Sequence, residues 1–160
     1  MKAKNLSAGE ANLEGAIRLG RYEKVRGATI AVRVATIRRG LNAVLIKKLA
    51  GDMSVPQERL YLTLGLARAT VVRKIKNRAR MDADDSERVL GLADLIGQVE
   101  EMVARSGDPK GFDAAKWVAQ WLEQPVAALG DKRPAEWMDT AAGQRLVSET
   151  LARMESGSYA

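Results

Sequence analysis

Residues 56–80 read PQERLYLTLGLARATVVRKIKNRAR, and the architecture of the chain follows from this segment. A turn at Gly65 separates two short stretches with helical spacing of apolar residues, which predicts helices over residues 57–64 and 67–77. The apolar positions expected to hold the two helices together are Leu60, Leu64, Leu66, Val71 and Ile75. The segment therefore predicts a helix-turn-helix.

The second helix of this pair carries side chains suited to nucleic acid. Arginine pairs bidentately with guanine and asparagine with adenine, lysine neutralises phosphate, and a short threonine permits close approach to a groove. The candidate DNA-binding residues are Arg68, Thr70, Arg73, Lys74 and Asn77. Two residues are atypical of the motif, since Tyr61 replaces a small packing residue and Ala67 is a poor N-cap. The alternative interpretation is a pair of packed helices with a solvated basic face.

The charge distribution is uneven along the chain. Residues 1–80 carry 18 Lys+Arg and 5 Asp+Glu, a net charge of +13, whereas residues 81–160 carry 8 and 15, a net charge of −7. A basic half attracts a polyanion and an acidic half is repelled by one. We therefore expect the two halves to have different partners.

The composition excludes several classes of protein. With 160 residues, 46% of them hydrophobic and 29% charged, the chain is expected to form one domain or two small ones sharing a core. The absence of Cys and His removes disulfides, imidazole or thiol catalysis and the usual zinc sites. No apolar run approaches the roughly 18 residues of a membrane span. We expect no metal, no cofactor and no membrane partner.

Residues 1–40 are expected to form a helical N-terminal extension to a helix-turn-helix domain at 41–80. Ser7 and Glu10 have capping-box spacing before a helix around residues 11–19. Residues 28–39 fit a strand or a helix, and we choose a helix because a lone strand is unstable. A helix beginning at Leu41 is expected to stop near Gly51, and Ser54 is expected to cap the next one.

Residues 81–160 are predicted to form a second helical domain, which makes the fold all-α. The acidic residues Asp82, Asp84 and Asp85 suit a helix N-terminus. The core stripe of the long helix that follows is Val89, Leu92, Ile96, Val99 and Val103. Asp113 and Thr140 are the expected N-caps of two later helices. The expected inward residues of the last helix, which Gly157 ends, are Leu146, Val147, Leu151 and Met154.

Residues 41–157 resemble the Xre-type antitoxins. Residues 64–96, LGLARATVVRKIKNRARMDADDSERVLGLADLI, are similar to the run from a recognition helix into an acidic start of a long helix. The remainder is similar to the C-terminal toxin-binding domain shared by the MbcA, ParS and Xre antitoxins. The matching positions are Trp121-Leu122, Leu129-Gly130, Arg133-Pro134, Asp139-Thr140, Gly143, Val147, Leu151 and Gly157. Gln124-Pro125 and Trp137-Met138 depart from the family pattern.

The resemblance implies a bacterial cytoplasmic antitoxin that is not an enzyme. Its implied partners are a RES-domain toxin, of a type that resembles ADP-ribosyl transferases and consumes NAD, and operator DNA. A homodimer is expected, because one short helix reads few bases. The candidate toxin-binding residues are Arg145, Glu149, Arg153, Ser156, Gly157, Ser158 and Tyr159. Inhibition could come from the face of the last helix or from a tail that enters the toxin's NAD site.

Two other functions remain open from the sequence. One is a plain helix-turn-helix regulator whose C-terminal domain only dimerises or senses a ligand. The other is a carboxylate enzyme using Asp84, Asp85 and Glu87, which is disfavoured because these residues fall on one exposed helix start.

Overall fold

The computed structural model describes residues 13–157, and this part of the chain forms nine α-helices, so the all-α prediction is confirmed. None of these helices is long and apolar enough to span a bilayer. Two short 3-10 helices, at Ala127–Leu129 and Pro134–Trp137, lie between the last two α-helices. In chain order the α-helices are α1 (Leu13–Arg18), α2 (Tyr22–Arg26), α3 (Ile30–Arg39), α4 (Leu45–Met53), α5 (Gln57–Leu64), α6 (Arg68–Lys76), α7 (Ala83–Ser106), α8 (Ala114–Trp121) and α9 (Ala141–Glu155).

The long helix α7 is the centre of the molecule. Its 24 residues span about 36 Å, and the Asp82 carboxylate caps it by accepting a hydrogen bond from the Asp85 amide at 2.8 Å. Helices α2, α3, α5, α8 and α9 all pack against α7. The predicted stripe is buried from Val89 to Val99 and half-buried at Val103. Residues of both halves of the chain therefore contribute to one hydrophobic core.

Helix α2 has no counterpart in the sequence analysis. It is only five residues long, so its apolar residues Tyr22 and Val25 are too few to show a period. Both side chains are buried, and α2 lies directly against α7. Gly97 makes this contact possible, because a Cβ atom there would lie 2.3 Å from the Tyr22 carbonyl oxygen.

Three sequence-based expectations about local structure are wrong. Ser54 does not cap α5; it is the C-cap of α4, with a left-handed φ of 56°, and Pro56 is the N-cap of α5. Met154 is not inward but 38% exposed, because α9 extends beyond Leu151 and every described residue after Leu151 is exposed. In addition, α4 begins at Leu45 rather than at residue 41.

Three other predicted helix ends are confirmed. Asp113 accepts a hydrogen bond from the Lys116 amide at 3.1 Å, and Thr140 accepts one from the Gly143 amide at 2.9 Å. Gly157 follows α9 with φ +67°, as expected for a helix-terminating glycine. The Ser7–Glu10 capping box lies outside the described residues.

Candidate functional site

Helices α5 and α6 pack as a helix-turn-helix. Gly65 is the left-handed C-cap of α5, and the Leu66 amide donates to the Tyr61 carbonyl oxygen at 2.8 Å, which reverses the chain. Tyr61 fits despite its size, because its ring is buried and its hydroxyl donates to Gln57 Oε1 at 3.1 Å. Ala67 is the N-cap of α6 without a side-chain hydrogen bond. The residues expected to hold the pair together are buried, except Ile75, which is half-buried.

The outer face of α6 carries basic and amide side chains. Arg73 lies two residues after the buried Val71, which is about 200° around the helix, so it points away from the core. Lys76 and Asn77 are exposed on the same side. Lys76 was not among the candidates, although its spacing of three residues from Arg73 indicates the shared face.

The remaining candidates on α6 lie beside this face. Arg68 is exposed at the first residue of the helix and forms an ion pair with Glu58 at 3.8 Å. Thr70 and Lys74 are half-buried at the flanks. Arg73, Lys76 and Asn77 are therefore the residues that the structure brings together.

The cations of the α6 outer face have no carboxylate partner within residues 13–157. Residues 30–80 contain 12 Lys+Arg and only two acidic residues. Asp52 is paired with Lys48 at 2.8 Å, and Glu58 is paired with Arg68. Other cations of this range, Arg33 and Arg80, pair with Asp94 and Glu14 from outside it. Arg73 and Lys76 form no ion pair with any residue in 13–157, so their positive charge is left without a direct partner, as a phosphate-binding surface requires.

The chain leaving α6 is fastened to the segment between α3 and α4. The Asn42 side-chain amide donates to the Arg78 carbonyl oxygen at 3.0 Å, and the Ala43 amide donates to the Ala79 carbonyl oxygen at 2.9 Å. Glu14 of α1 accepts hydrogen bonds from the Asn42 amide and from Arg80 Nη1, each at 2.9 Å. Helix α1 thus supports the end of α6 through one carboxylate.

A second polar face lies on α9. Arg145, Glu149 and Arg153 follow one another at intervals of four residues, so they share one side of the helix, opposite the buried Val147. All three are exposed, and Glu149 and Arg153 form a weak ion pair at 4.0 Å. The Ser156 hydroxyl donates to the Arg153 carbonyl oxygen at 3.0 Å at the end of the helix.

The α9 face borders a cavity of about 300 Å³ between α3, α7 and α9. Arg145 and Glu149 line one side, and Arg33 and Asp94, paired at 3.1 Å, line another. Four of the candidate toxin-binding residues lie in one row along α9: Arg145, Glu149, Arg153 and Ser156. Gly157 follows directly after this row. Ser158 and Tyr159 lie outside the described residues.

The acidic start of α7 does not have the arrangement of a carboxylate enzyme. Asp85 is nearly buried and forms an ion pair with Arg88 at 2.5 Å. Asp84 is exposed, and Glu87 lies at the edge of the cavity that borders α9. The three carboxylates therefore do not converge on one reacting position.

These surfaces define a class of protein: an all-α helix-turn-helix protein with a second polar face on its last helix. An antitoxin Xre-like helix-turn-helix domain matches residues 32–94, and an antitoxin Xre/MbcA/ParS C-terminal toxin-binding domain matches residues 110–157. The chain belongs to this family of Xre-type antitoxins. Its matched domains have binding and regulatory roles, with a toxin and DNA as the implied partners.

Named relatives extend over most of the chain. A Sphingobium sp. protein named Prs ADP-ribosylating antitoxin is 41% identical over 139 residues, which cover 87% of each chain. A Yersinia enterocolitica protein named antitoxin Xre is 23% identical over 128 residues, covering 80% of this chain and 81% of the relative. A Photorhabdus laumondii protein of the same name is 23% identical over 123 residues, covering 77% of this chain and 78% of the relative.

Proposed function

We propose that this antitoxin neutralises a cognate RES-domain toxin that consumes NAD and represses its own operon as a homodimer in the bacterial cytoplasm. In this proposal, residues 41–80 bind operator DNA, residues 81–160 bind the toxin, and residues 1–40 are an extension to the DNA-binding part. The main support for DNA binding is the positive charge of Arg73 and Lys76, which is not compensated by a carboxylate. Both residues lie on α6, the helix in the position of a recognition helix. Pairing of two such helices compensates for the few bases that one reads.

The proposal that the chain binds a toxin is supported by the row of charged side chains along α9 and by the acidic net charge of residues 81–160. Arg145, Glu149 and Arg153 offer charges of both signs on a rigid helix, and the net charge of −7 complements a toxin surface that attracts anionic NAD. The name of the 41% identical relative includes ADP-ribosylation, a reaction that consumes NAD. A regulator without a toxin is disfavoured, because the toxin-binding family match covers residues 110–157.

Two variants and one truncation test these roles, with DNA binding measured on purified protein and neutralisation measured in cells that express the toxin. Arg73→Ala with Lys76→Ala removes two phosphate-binding cations and is expected to make the negative slope of log K against log salt shallower by about 1.8 for upstream DNA. Toxin neutralisation by this variant is expected to survive. Glu149→Arg makes the α9 face wholly cationic, and it is expected to retain promoter binding and to lose protection, because a cationic face is repelled by a toxin surface that attracts anionic NAD.

The truncated variant, which ends at Glu155, distinguishes inhibition by the α9 face from inhibition by the tail. If the tail occupies the NAD site, the toxin saturated with the truncated antitoxin still shows measurable NAD turnover. Equal inhibition by the full-length and the truncated antitoxin assigns neutralisation to the α9 face. If the RES-domain toxin is inactive towards NAD, or if neither Glu149→Arg nor the truncation weakens neutralisation, the proposal that this chain inhibits the toxin is rejected. If the Arg73/Lys76 variant binds the promoter normally at several salt concentrations, the proposal that α6 binds operator DNA is rejected.

A further inference from the structure

Arg78 is an exposed cation just beyond the end of α6, outside the candidate set from the sequence. Asn77 is the C-cap of α6, and Arg78 follows it with φ 52°, in the left-handed region. Glycine is the residue that suits this position, because an L side chain there strains the backbone. An arginine at this position therefore weakens the helix end, and its side chain offers no buried contact in return.

The backbone around Arg78 is held from both sides. Its carbonyl oxygen accepts the Asn42 side-chain amide at 3.0 Å, and the Asn42 Oδ1 atom accepts a hydrogen bond from the Val44 amide at 3.0 Å. On the other side, the Ala79 amide donates to the Lys74 carbonyl oxygen at 2.8 Å. The root of the Arg78 side chain is thus fixed relative to α6, while no carboxylate within residues 13–157 forms an ion pair with its guanidinium.

We propose that Arg78 binds a DNA phosphate beside the groove that α6 enters, which extends the DNA-binding surface past the recognition helix. This inference rests on the proposed function. Base edges are contacted mainly from the N-terminal part of a recognition helix, so a cation past its C-terminal end meets the backbone of the duplex. The guanidinium fork matches two phosphate oxygens. A fixed backbone also reduces the entropy lost when the side chain is ordered on DNA.

Arg78→Gly separates the two consequences of this placement. Relief of the left-handed strain is expected to raise Tm by about 2–4 °C. Loss of one phosphate contact is expected to make the negative slope of log K against log salt shallower by about 0.9 for a duplex taken from directly upstream of the gene. Arg78→Lys is expected to keep the slope, because lysine also neutralises phosphate. Arg21→Ala, which removes an exposed cation from the N-cap of α2, is the matched control and is expected to change neither quantity.

The outcomes distinguish this inference from the proposal on which it rests. If the wild-type protein binds the duplex and Arg78→Gly binds it with an unchanged slope, the inference is overturned while DNA binding stands. If the wild-type protein shows no binding to the duplex at low salt, the proposed DNA binding is rejected, and the inference about Arg78 is rejected with it. An equal loss of slope in Arg21→Ala would mean that total charge, and not the position of Arg78, is responsible.

Discussion

Glu100 lies where α7 meets α2, and its carboxylate accepts a hydrogen bond from the Glu23 amide at 3.0 Å. Burial, followed by the hydrogen bond and the charge of the Glu23 side chain, raises the pKa of Glu100 from 4.5 to about 7, and the hydrogen bond from the Glu23 amide opposes this rise by lowering the pKa. Asp113 adds to the rise. The folded protein therefore keeps a proton on Glu100 over a pH range in which the unfolded chain has released it.

This proton makes stability depend on pH. Because the pKa of Glu100 is higher in the folded state, stability is expected to fall as the pH rises from 4.5 to about 7. Glu100→Gln removes this dependence, so its Tm should exceed that of the wild type above pH 7 and approach it near pH 4.5. Thermal unfolding followed by circular dichroism across this range is the measurement. Glu87→Gln, at an exposed position on the same helix, is the control; a shift of equal size in both variants would contradict the assignment to Glu100.

The positions of some DNA-binding residues are predictable from the sequence and those of others are not. Arg73 and Asn77 are on the outer face as helical spacing requires, and the same spacing could have revealed Lys76. Arg78 could not be found in this way, because its placement depends on a left-handed backbone and on a hydrogen bond from Asn42, which is 36 positions away.

The contact between α2 and α7 shows what a short helix contributes to this fold. Tyr22 is buried, and its hydroxyl donates to Asp52 Oδ2 at 2.6 Å, which links α2 to α4 as well. Burial and this hydrogen bond raise the pKa of Tyr22 far above its usual value. Helix α2 thus connects the N-terminal extension to the central helix and to the helix that precedes the helix-turn-helix.

Gly97 tests the closeness of this contact. Gly97→Ala is expected to destabilise the protein by about 1–3 kcal/mol, because its Cβ would press on the Tyr22 carbonyl and force α2 outwards. Gly51→Ala is the matched control: Gly51 lies in α4 with open space around it, so alanine should stabilise the helix by about 1 kcal/mol. Urea unfolding of both variants gives the comparison. Unchanged stability of Gly97→Ala would show that α2 does not pack closely on α7.

The shared core connects the two halves of the molecule. Helix α7 is buried almost all around, since every residue from 92 to 99 except Asp94 is buried. The residues that cover it come from both before and after Met81. Toxin binding and DNA binding, as proposed, would therefore be located on different surfaces of one cooperative structure.

A fragment that begins at Met81 is consequently expected not to fold alone. It lacks α2, α3 and α5, so α7 would expose apolar side chains that those helices cover. We expect little cooperative thermal unfolding by circular dichroism and strong binding of a hydrophobic dye such as ANS. The full-length Arg73/Lys76 variant serves as the folded reference. A sharp unfolding transition of the fragment would show that residues 81–160 form an independent domain.

Local patterns in the sequence were sufficient for the fold class and for most helix boundaries. The helix-turn-helix, the Asp82, Asp113 and Thr140 caps and the buried stripe of α7 all depend on neighbours within one or two turns, so residue spacing alone predicts them. Only the tertiary structure identified the exposure of Met154, the helix α2 and the position of Arg78. These features depend on which distant segment covers or holds a residue, and spacing within one helix carries no information about that segment.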